Sequence, residues 1–385
     1  MSTALNLAFL PLTDCAPLVV ALERGYFKQA GLNVTLERTP SWTAARERLD
    51  HGTCQAAHLL FGIPFATALG HFGPKARPLV IPWILSRNGQ AITLAAKYRG
   101  RVTTEAKPLA KEIFARRDAG RPAVFAMTLA PGTHALWLRS WLAAGGINPD
   151  HDLALITIPP PQMVENLRQG QLDGFSVGEP WNARAAAENL GYTAITSQQI
   201  WPDHPEKALA FTAAFTAAQP ATVTAALTAL HLAGRWCDDA ANHIELAALL
   251  SQPAYVGCPS AQILPRLTGT FDFGDGRSIT GDRHAVNFSR RDANHPQPRY
   301  ALWWLSQMRR WAMTFGAPDY HAITAKIMRP EFYSAALTEV GVTPGQVNLA
   351  PERFFDGTIF DPADPERFAR AHAVHTARFQ PLIPA

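Results

Sequence analysis

The sequence has few cysteines, few charged residues and no long apolar run, and each shortage excludes a class of protein. The cysteines are far apart and show neither a CxxC pair nor the cysteine and histidine spacing of a zinc site. We therefore predict no metal site and four free, buried thiols, at Cys15, Cys54, Cys237 and Cys258. Free thiols suit a reducing compartment. No stretch reaches the ~20 consecutive apolar residues that a membrane-spanning helix needs.

The motifs of the common enzyme classes are also missing. The sequence contains no GxSxG, no P-loop, no HExxH and no GxGxxG after a strand. Glu179, in the segment VGEPW, could be a buried carboxylate, but one acid without a partner supports no acid–base mechanism. Cys54 lies between His51 and His58 at a spacing that fits neither a tetrahedral metal site nor a nucleophile. We predict a protein that is not an enzyme and uses no cofactor.

Charge is sparse and nearly balanced. Of the 385 residues, 17% are charged and 47% are hydrophobic, which indicates a soluble globular chain rather than a disordered one. The net charge of +4 is too small and too dispersed for direct nucleic-acid binding. The segment 97–121 is richer in Lys and Arg than in acids. It is typical of a solvated surface, with a docking face for an acidic partner as the alternative.

The first residues predict a location. MSTALNLAFLPLTDC has no positive n-region, no long apolar run and no A-x-A cleavage site. Instead, Leu5–Leu10 has the pattern of a first core strand. We therefore expect no leader and a cytoplasmic protein that does not bind membranes.

Strand and helix patterns alternate through the first half of the chain. LNVTLERT alternates like a strand, and helical segments separate the apolar runs that follow, which favours α/β sheets of parallel strands. A second α/β run extends from AVFAMTLA to GYTAITS, and the remainder is mainly helical. A chain of this length can form two lobes, each with its own core. We predict a first lobe over 1–91, a second lobe over 92–206, and a return to the first lobe with C-terminal helices over 207–385.

The turn Pro131-Gly132-Thr133-His134 runs directly into an amphipathic helix. The N-terminus of a helix exposes unpaired N–H groups and the positive end of its dipole, so it can hold a small anion. Alone the signal is weak, because Thr133 could simply cap the helix. Asp14 has a similar interpretation, as a cap for the helix APLVVALERGYF.

Long segments in a fixed order resemble a known family. They include LTDCAPLVVALERGYFKQAGLNVTLERTPSWTAARERL, NGQAITLA, PGTHALWLRSWLAAGGINPDHDLALITIPPPQMV and DGFSVGEPWNARAAAENLGYTAIT. Over essentially its whole length the chain resembles the nitrate- and bicarbonate-binding proteins of bacterial ABC importers, and most of all cytoplasmic nitrate/nitrite sensors of the NasS type. The resemblance implies the type II periplasmic-binding-protein fold, with two α/β lobes around a ligand cleft and a helical C-terminal extension.

The same resemblance implies a nitrate site at Trp42, Gln90, His134 and Lys207. Nitrate is a planar monoanion with three acceptor oxygens, so a pocket of donors alone suits it, with Lys207 as the counter-charge. Each residue also has a structural alternative: Trp42 as a core anchor, Gln90 as a backbone partner, His134 as a helix residue and Lys207 as a solvated side chain. As the family implies, the bicarbonate binder has an acid at the Lys207 position and a calcium ion. Lysine therefore favours nitrate or nitrite and argues against a metal.

Three functions remain open on the sequence. The favoured hypothesis is a cytoplasmic nitrate/nitrite sensor that binds the anion between its lobes and controls an ANTAR-type RNA-binding antiterminator (NasT type) of nitrate assimilation genes. The alternative is the nitrate-binding substrate-binding protein of an ABC importer, or a detached regulatory domain of an importer ATPase. The third is an enzyme on the same fold, for which we find no nucleophile or cofactor ligand.

Overall fold

A first sheet gathers strands from the beginning and the middle of the chain. The computed structural model describes residues 3–376. The strands of this sheet are β1 (Thr3–Phe9), β2 (Leu32–Arg38), β3 (Ala56–Leu60), β4 (Leu79–Arg87) and, from later in the chain, β10 (Pro205–Thr212). Their order is β2-β1-β3-β10-β4. β1 runs parallel to both of its neighbours, whereas β10 runs antiparallel to β3 and β4.

A second sheet is built from the segment between β4 and β10. Its strands are β5 (Gln90–Ala95), β6 (Val124–Met127), β7 (Ala154–Thr157), β8 (Gly174–Gly178) and β9 (Gly191–Thr196). Their order is β7-β6-β8-β5-β9, and β5 is antiparallel to both neighbours. Both sheets are therefore mixed, where the sequence predicts parallel strands. A parallel neighbour in the same sheet needs a crossover connection, usually a helix, that returns the chain to the same end of the sheet. β5 and β10 instead enter their sheets from the other lobe, so they pair antiparallel.

The two passages between the lobes lie side by side. The chain leaves the first sheet at Asn88 and Gly89, whose φ angles of 61° and 81° lie in the left-handed region that Gly and Asn tolerate best. It returns over residues 197–204, and the Asn88 amide donates to the His204 carbonyl at 3.3 Å. The division of the chain at 91/92 and 206/207 stays a prediction.

Helices cover the sheets and form most of the second half of the chain. Helix α3 shows how local chemistry sets an element: the Ser41 hydroxyl accepts from the Ala44 amide at 3.1 Å, and Gly52, at φ 75°, ends the helix. None of the helices within residues 3–376 combines the length and apolarity that crossing a bilayer requires. The helices are α1 (Ala16–Glu23), α2 (Tyr26–Gln29), α3 (Trp42–His51), α4 (Ile63–Ala68), α5 (Ala110–Asp118), α6 (Thr133–Ala144), α7 (Met163–Arg168), α8 (Trp181–Ala187), α9 (Ser197–Ile200), α10 (Ala213–Ala218), α11 (Pro220–Asp238), α12 (His243–Leu250), α13 (Ser260–Thr268), α14 (Pro298–Arg310), α15 (Tyr320–Ile327), α16 (Pro330–Glu339) and α17 (Pro365–Arg370). Two short hairpins, β11 (Thr270–Asp272) with β12 (Ser278–Thr280) and β13 (Glu352–Arg353) with β14 (Ile359–Phe360), complete the fold.

The C-terminal helices contact both lobes. On α14, the Trp303 ring lies 4.9 Å from that of Trp137 in the second lobe. Its neighbour Trp304 lies 4.7 Å from Phe61 in the first lobe. Consecutive helical residues point about 100° apart, so the Trp-Trp pair can contact two separate surfaces. Helix α14 therefore joins the lobes through aromatic contacts.

Candidate functional site

Trp42 belongs to the first lobe and lies at the start of α3. Its indole is buried, with an exposed fraction of 1%. The ring packs edge-on against His58 of β3, with centroids 5.4 Å apart. The Lys207 ammonium nitrogen lies 5.4 Å from the centre of the Trp42 ring, within range of a cation–π contact. These contacts bring two of the four predicted residues together.

His134 reaches the same place from the second lobe. The imidazole is fully buried, and its Nδ1 is 2.6 Å from the Thr128 hydroxyl. Its Nε2 lies 3.7 Å from an oxygen of Glu206. The helix cap differs from the prediction, because Thr133 is the first helical residue and Gly132, without a side chain, holds the cap position. The Thr133 hydroxyl is therefore not used as a cap.

The turn before α6 presses against the first lobe. A Cβ added at Gly132 would lie 2.5 Å from Leu60 Cδ1, and one added at Gly62 would overlap the carbonyl oxygen of Pro131. Across the same boundary the Thr13 amide donates to the Glu179 carbonyl at 2.9 Å. The two lobes thus touch, and the cluster between them is closed off from solvent.

Gln90 occupies the first position of β5, directly after the passage between the lobes. It pairs with Gly178 on β8, where an added Cβ would lie 3.5 Å from Asp14 Oδ2 and 3.6 Å from His134 Nε2. The backbone amide of Gln90 donates to the Ser197 hydroxyl at 3.3 Å. The side chain is 1% exposed, yet within residues 3–376 neither its oxygen nor its nitrogen has a hydrogen-bond partner.

Lys207 lies on β10 and is fully buried. Its ammonium is 2.8 Å from Asp14 Oδ2 and also contacts the carboxyl of Glu206. The other Asp14 oxygen is 3.0 Å from His58 Nε2. The predicted capping role of Asp14 is therefore wrong, since this side chain caps neither the turn Thr13–Cys15 nor α1 and instead pairs with the lysine.

Two carboxyl groups therefore share a site that the sequence predicts to hold donors only. Burial raises the pKa of Glu206 to about 7, although the Lys207 ammonium opposes the rise. Burial would also raise the pKa of Asp14, but Lys207 and His58 outweigh it and hold that pKa well below the usual range. Burial tends to lower the pKa of Lys207, yet Asp14 and Glu206 together raise it. Near neutral pH the group thus holds one ammonium, one carboxylate and one carboxyl near its midpoint.

The histidines of the cluster are held neutral. Burial lowers the pKa of His58, with the Asp14 carboxylate opposing. Burial and the nearby Lys207 charge hold the pKa of His134 well below its ordinary value. A neutral His134 that bonds Thr128 through Nδ1 keeps Nε2 for a ligand, as donor or acceptor according to its tautomer.

Several of these residues escape sequence reasoning for a physical reason. Successive residues of a regular strand point to opposite faces, so Glu206 and Lys207 are not expected to share a site. The pairing of β10 with β4 shifts register on both sides of Lys207, and such an irregularity re-aims side chains. The only signal in the sequence for a shared site is that Glu206 and Lys207 are adjacent in the segment HPEK.

Glu179 does not join the cluster's ion pairs. It is the buried carboxylate that the sequence suggests, 1% exposed, and its Oε1 lies 3.2 Å from Arg266 Nε. Its other oxygen accepts from the Ala183 amide at 3.1 Å. The carboxyl therefore ties α13 to α8. All four cysteines are free and buried.

Comparison with known proteins identifies the family. The family model described as the NMT1-like family matches residues 1–251. The chain belongs to the NMT1-like family. It is 37% identical over 375 residues to the nitrate/nitrite binding protein NrtA of Synechococcus elongatus, covering 94% of this chain and 84% of that protein. It is 35% identical over 372 residues to the nitrate import ATP-binding protein NrtC of Synechocystis, covering 96% of this chain and 55% of that protein.

A solved structure extends the comparison to three dimensions. The crystal structure of the periplasmic nitrate-binding protein NrtA from Synechocystis matches with a TM-score of 0.92 and 32% identity, covering 97% of this chain and 99% of that one. The predicted two-lobe periplasmic-binding-protein fold is confirmed, as is the family of nitrate and bicarbonate substrate-binding proteins. The relatives named here are nitrate binders and import proteins, and none supports the narrower sensor type. The family is one of binding proteins, and the lack of catalysis stays a prediction.

Proposed function

We propose that this chain binds nitrate or nitrite between its lobes and serves as the substrate-binding protein of an ABC importer. One observation carries the proposal. Around the buried Lys207, the Trp42 indole N–H, the Gln90 amide and His134 Nε2 have no hydrogen-bond partner anywhere in residues 3–376. Buried polar groups are rarely left unpaired in a native protein unless a ligand or water satisfies them.

The chemistry of these groups suits a small planar anion. The indole offers one N–H, the amide two and the imidazole one, which together match the acceptor oxygens of nitrate or nitrite. Lys207 adds the positive charge that a desolvated anion requires. The four side chains are almost fully buried, so an anion bound among them would be shielded from water. The names of the 37% and 32% identical relatives point to the same ligand.

The importer role rests on the relatives, which are named as nitrate-binding and nitrate-import proteins. It replaces the sensor as the favoured function. Both functions need lobe closure on the same anion, and they differ in where the protein resides and what it contacts. An importer protein docks on a membrane permease, whereas a sensor would release an ANTAR-type antiterminator on binding nitrate. Linkage then requires nitrate to bind the partner-free form more tightly.

Two measurements test the proposal. Calorimetric titration of the purified chain with nitrate, nitrite and bicarbonate should show saturable binding of the first two; no binding of either would overturn the proposed ligand. Cell fractionation then separates the roles. A pool outside the inner membrane supports the importer. A cytoplasmic pool whose antiterminator partner is released by nitrate would establish the sensor in its place.

A further inference from the structure

The positive charge of Lys207 is balanced by carboxyl groups of the chain itself. The Lys207 ammonium lies 2.8 Å from Asp14 Oδ2 and contacts the carboxyl of Glu206. All three side chains are at most 2% exposed. With both acids ionised, this group carries a net charge of −1, and an added monoanion would make it −2 in a desolvated space. Like charges that share a buried site raise the pKa of one of them, so that a proton is taken up.

Glu206 is the group placed to take up that proton. On β10 its neighbour Lys207 faces it. His204, in the passage before this strand, also faces it, with Nδ1 3.9 Å from Glu206 Oε2. From α6 it faces His134 Nε2 at 3.7 Å and lies near the Thr133 hydroxyl. The negative charge of Asp14, in the first lobe, raises the pKa of Glu206.

The other members of the cluster are poor proton acceptors. Asp14 is held ionised by two partners, Lys207 and His58. His58 and His134 are kept neutral by burial, which lowers their pKa values. Burial lowers the pKa of His204 to about 3. The pKa of Glu206, raised by burial to about 7, is the one that lies close to neutral pH.

We propose that Glu206 makes anion binding proton-coupled: its carboxylate takes up one proton from solvent as nitrate or nitrite enters, and the anion takes over the carboxylate's place as counter-charge to Lys207. The inference rests on the proposed function, because it concerns the same site. The step forms one O–H bond on Glu206 and breaks none in the ligand. The resulting carboxyl can donate its proton to an acceptor oxygen of the anion.

The proposal fixes the pH dependence of affinity. Below about pH 6, Glu206 is protonated with or without ligand, so the affinity should be constant. Above about pH 8, binding requires uptake of one proton, so the association constant should fall about tenfold per pH unit. Glu206→Gln keeps a neutral, hydrogen-bonding side chain of the same size. It should bind nitrate with an affinity independent of pH and more tightly than the wild type at pH 8.5.

A matched control is available outside the cluster. Glu352 is also largely buried, with its pKa raised by burial and with Arg299 Nη1 2.6 Å from its carboxyl. Because Glu352 lies on the hairpin strand β13, Glu352→Gln should leave the proton uptake on nitrate binding at the wild-type value.

The experiment is calorimetric titration of the full chain with nitrate at pH 8, in phosphate and in Tris. These buffers differ widely in ionisation enthalpy, so the difference in observed heat reports the protons taken up. We expect about one proton per nitrate for the wild type and Glu352→Gln, and about none for Glu206→Gln. Nitrate binding without proton uptake by the wild type would overturn the inference, as would full uptake by Glu206→Gln. Absence of nitrate binding at every pH would instead overturn the proposed function.

Discussion

The carboxyl of Glu206 contacts the ammonium group of Lys207 although the two residues are neighbours on one strand. A register shift in β10 brings both side chains to the boundary between the lobes, where Asp14 completes the group. The lysine that the sequence marks as counter-charge for an anion is therefore an ion-pair partner as well. Loss of the Lys207 charge should weaken ligand binding and also deprive the carboxyls of Asp14 and Glu206 of their counter-charge. Reversal of that charge is therefore the most informative change.

We expect Lys207→Glu to abolish nitrate binding. Three acidic groups and an anion would then share one desolvated site, where like charges repel strongly. Calorimetry should show no heat of nitrate binding up to millimolar concentrations. Lys111→Glu, an exposed change on α5, makes the same charge substitution far from the cluster and should retain wild-type affinity. Unchanged affinity in Lys207→Glu would show that the anion binds elsewhere.

Gln90→Leu should separate ligand binding from stability. In residues 3–376 the Gln90 amide makes no side-chain hydrogen bond, so its loss removes only an unpaired polar group from the core. Thermal unfolding should occur at an equal or higher Tm, while nitrate affinity falls about tenfold, which corresponds to about 1.4 kcal/mol.

Asn294→Leu is the contrasting change. The Asn294 amide nitrogen donates to the carbonyls of Ile84 and Phe288 at 2.8 and 2.7 Å, so this buried amide is structural. Its substitution should lower the Tm, because two carbonyls lose their donor. If Gln90→Leu also lost stability, the side chain would have a structural role rather than a ligand-binding one.

The sequence predicts the architecture better than the pocket. Strand and helix periodicity marks the elements of both lobes, and the resemblance locates Trp42 and His134, which the structure brings to one boundary. Asp14 is misassigned because an acid before a helix is equally suited to capping and to a tertiary ion pair. Glu206 is missed because regular alternation would place it on the opposite face from Lys207.

The position of the C-terminal helices shows a second limit of prediction from the sequence. The aromatic segment YALWWLSQMRRWAM predicts that α14 packs against apolar surface, but periodicity does not say which lobe provides that surface. Trp303 and Trp304 contact different lobes. Such a bridge depends on contacts between residues distant in sequence, which no local pattern encodes.

Gly62→Ala should impair closure of the lobes. The backbone of Gly62 (φ −75°) suits alanine, but the new Cβ would overlap the carbonyl oxygen of Pro131 across the boundary. We expect nitrate affinity to fall at least tenfold, and small-angle scattering to show a larger radius of gyration at saturating nitrate than for the wild type. Gly316→Ala is the control, since an added Cβ there meets no atom within 4 Å. Wild-type affinity in Gly62→Ala would show that nitrate binding does not need the close approach of Gly62 to Pro131.

His204 should make the empty protein sensitive to acid. Its ring packs 5.1 Å from that of Trp137, and burial lowers its pKa from 6.5 to about 3. A lowered histidine pKa means that the unfolded chain binds the proton first. The contribution of His204 to stability is therefore complete above about pH 6.5 and is lost as the pH falls towards 3, by about 1.4 kcal/mol per pH unit for this one group.

Urea denaturation measures the free energy of unfolding at each pH. Between pH 6 and pH 4, His204→Gln should reduce the slope of this free energy against pH by the amount that corresponds to about one proton. His151→Gln, whose ring is 71% exposed, should keep the wild-type slope, and equal slopes in all three proteins would show that His204 is not buried in its neutral form.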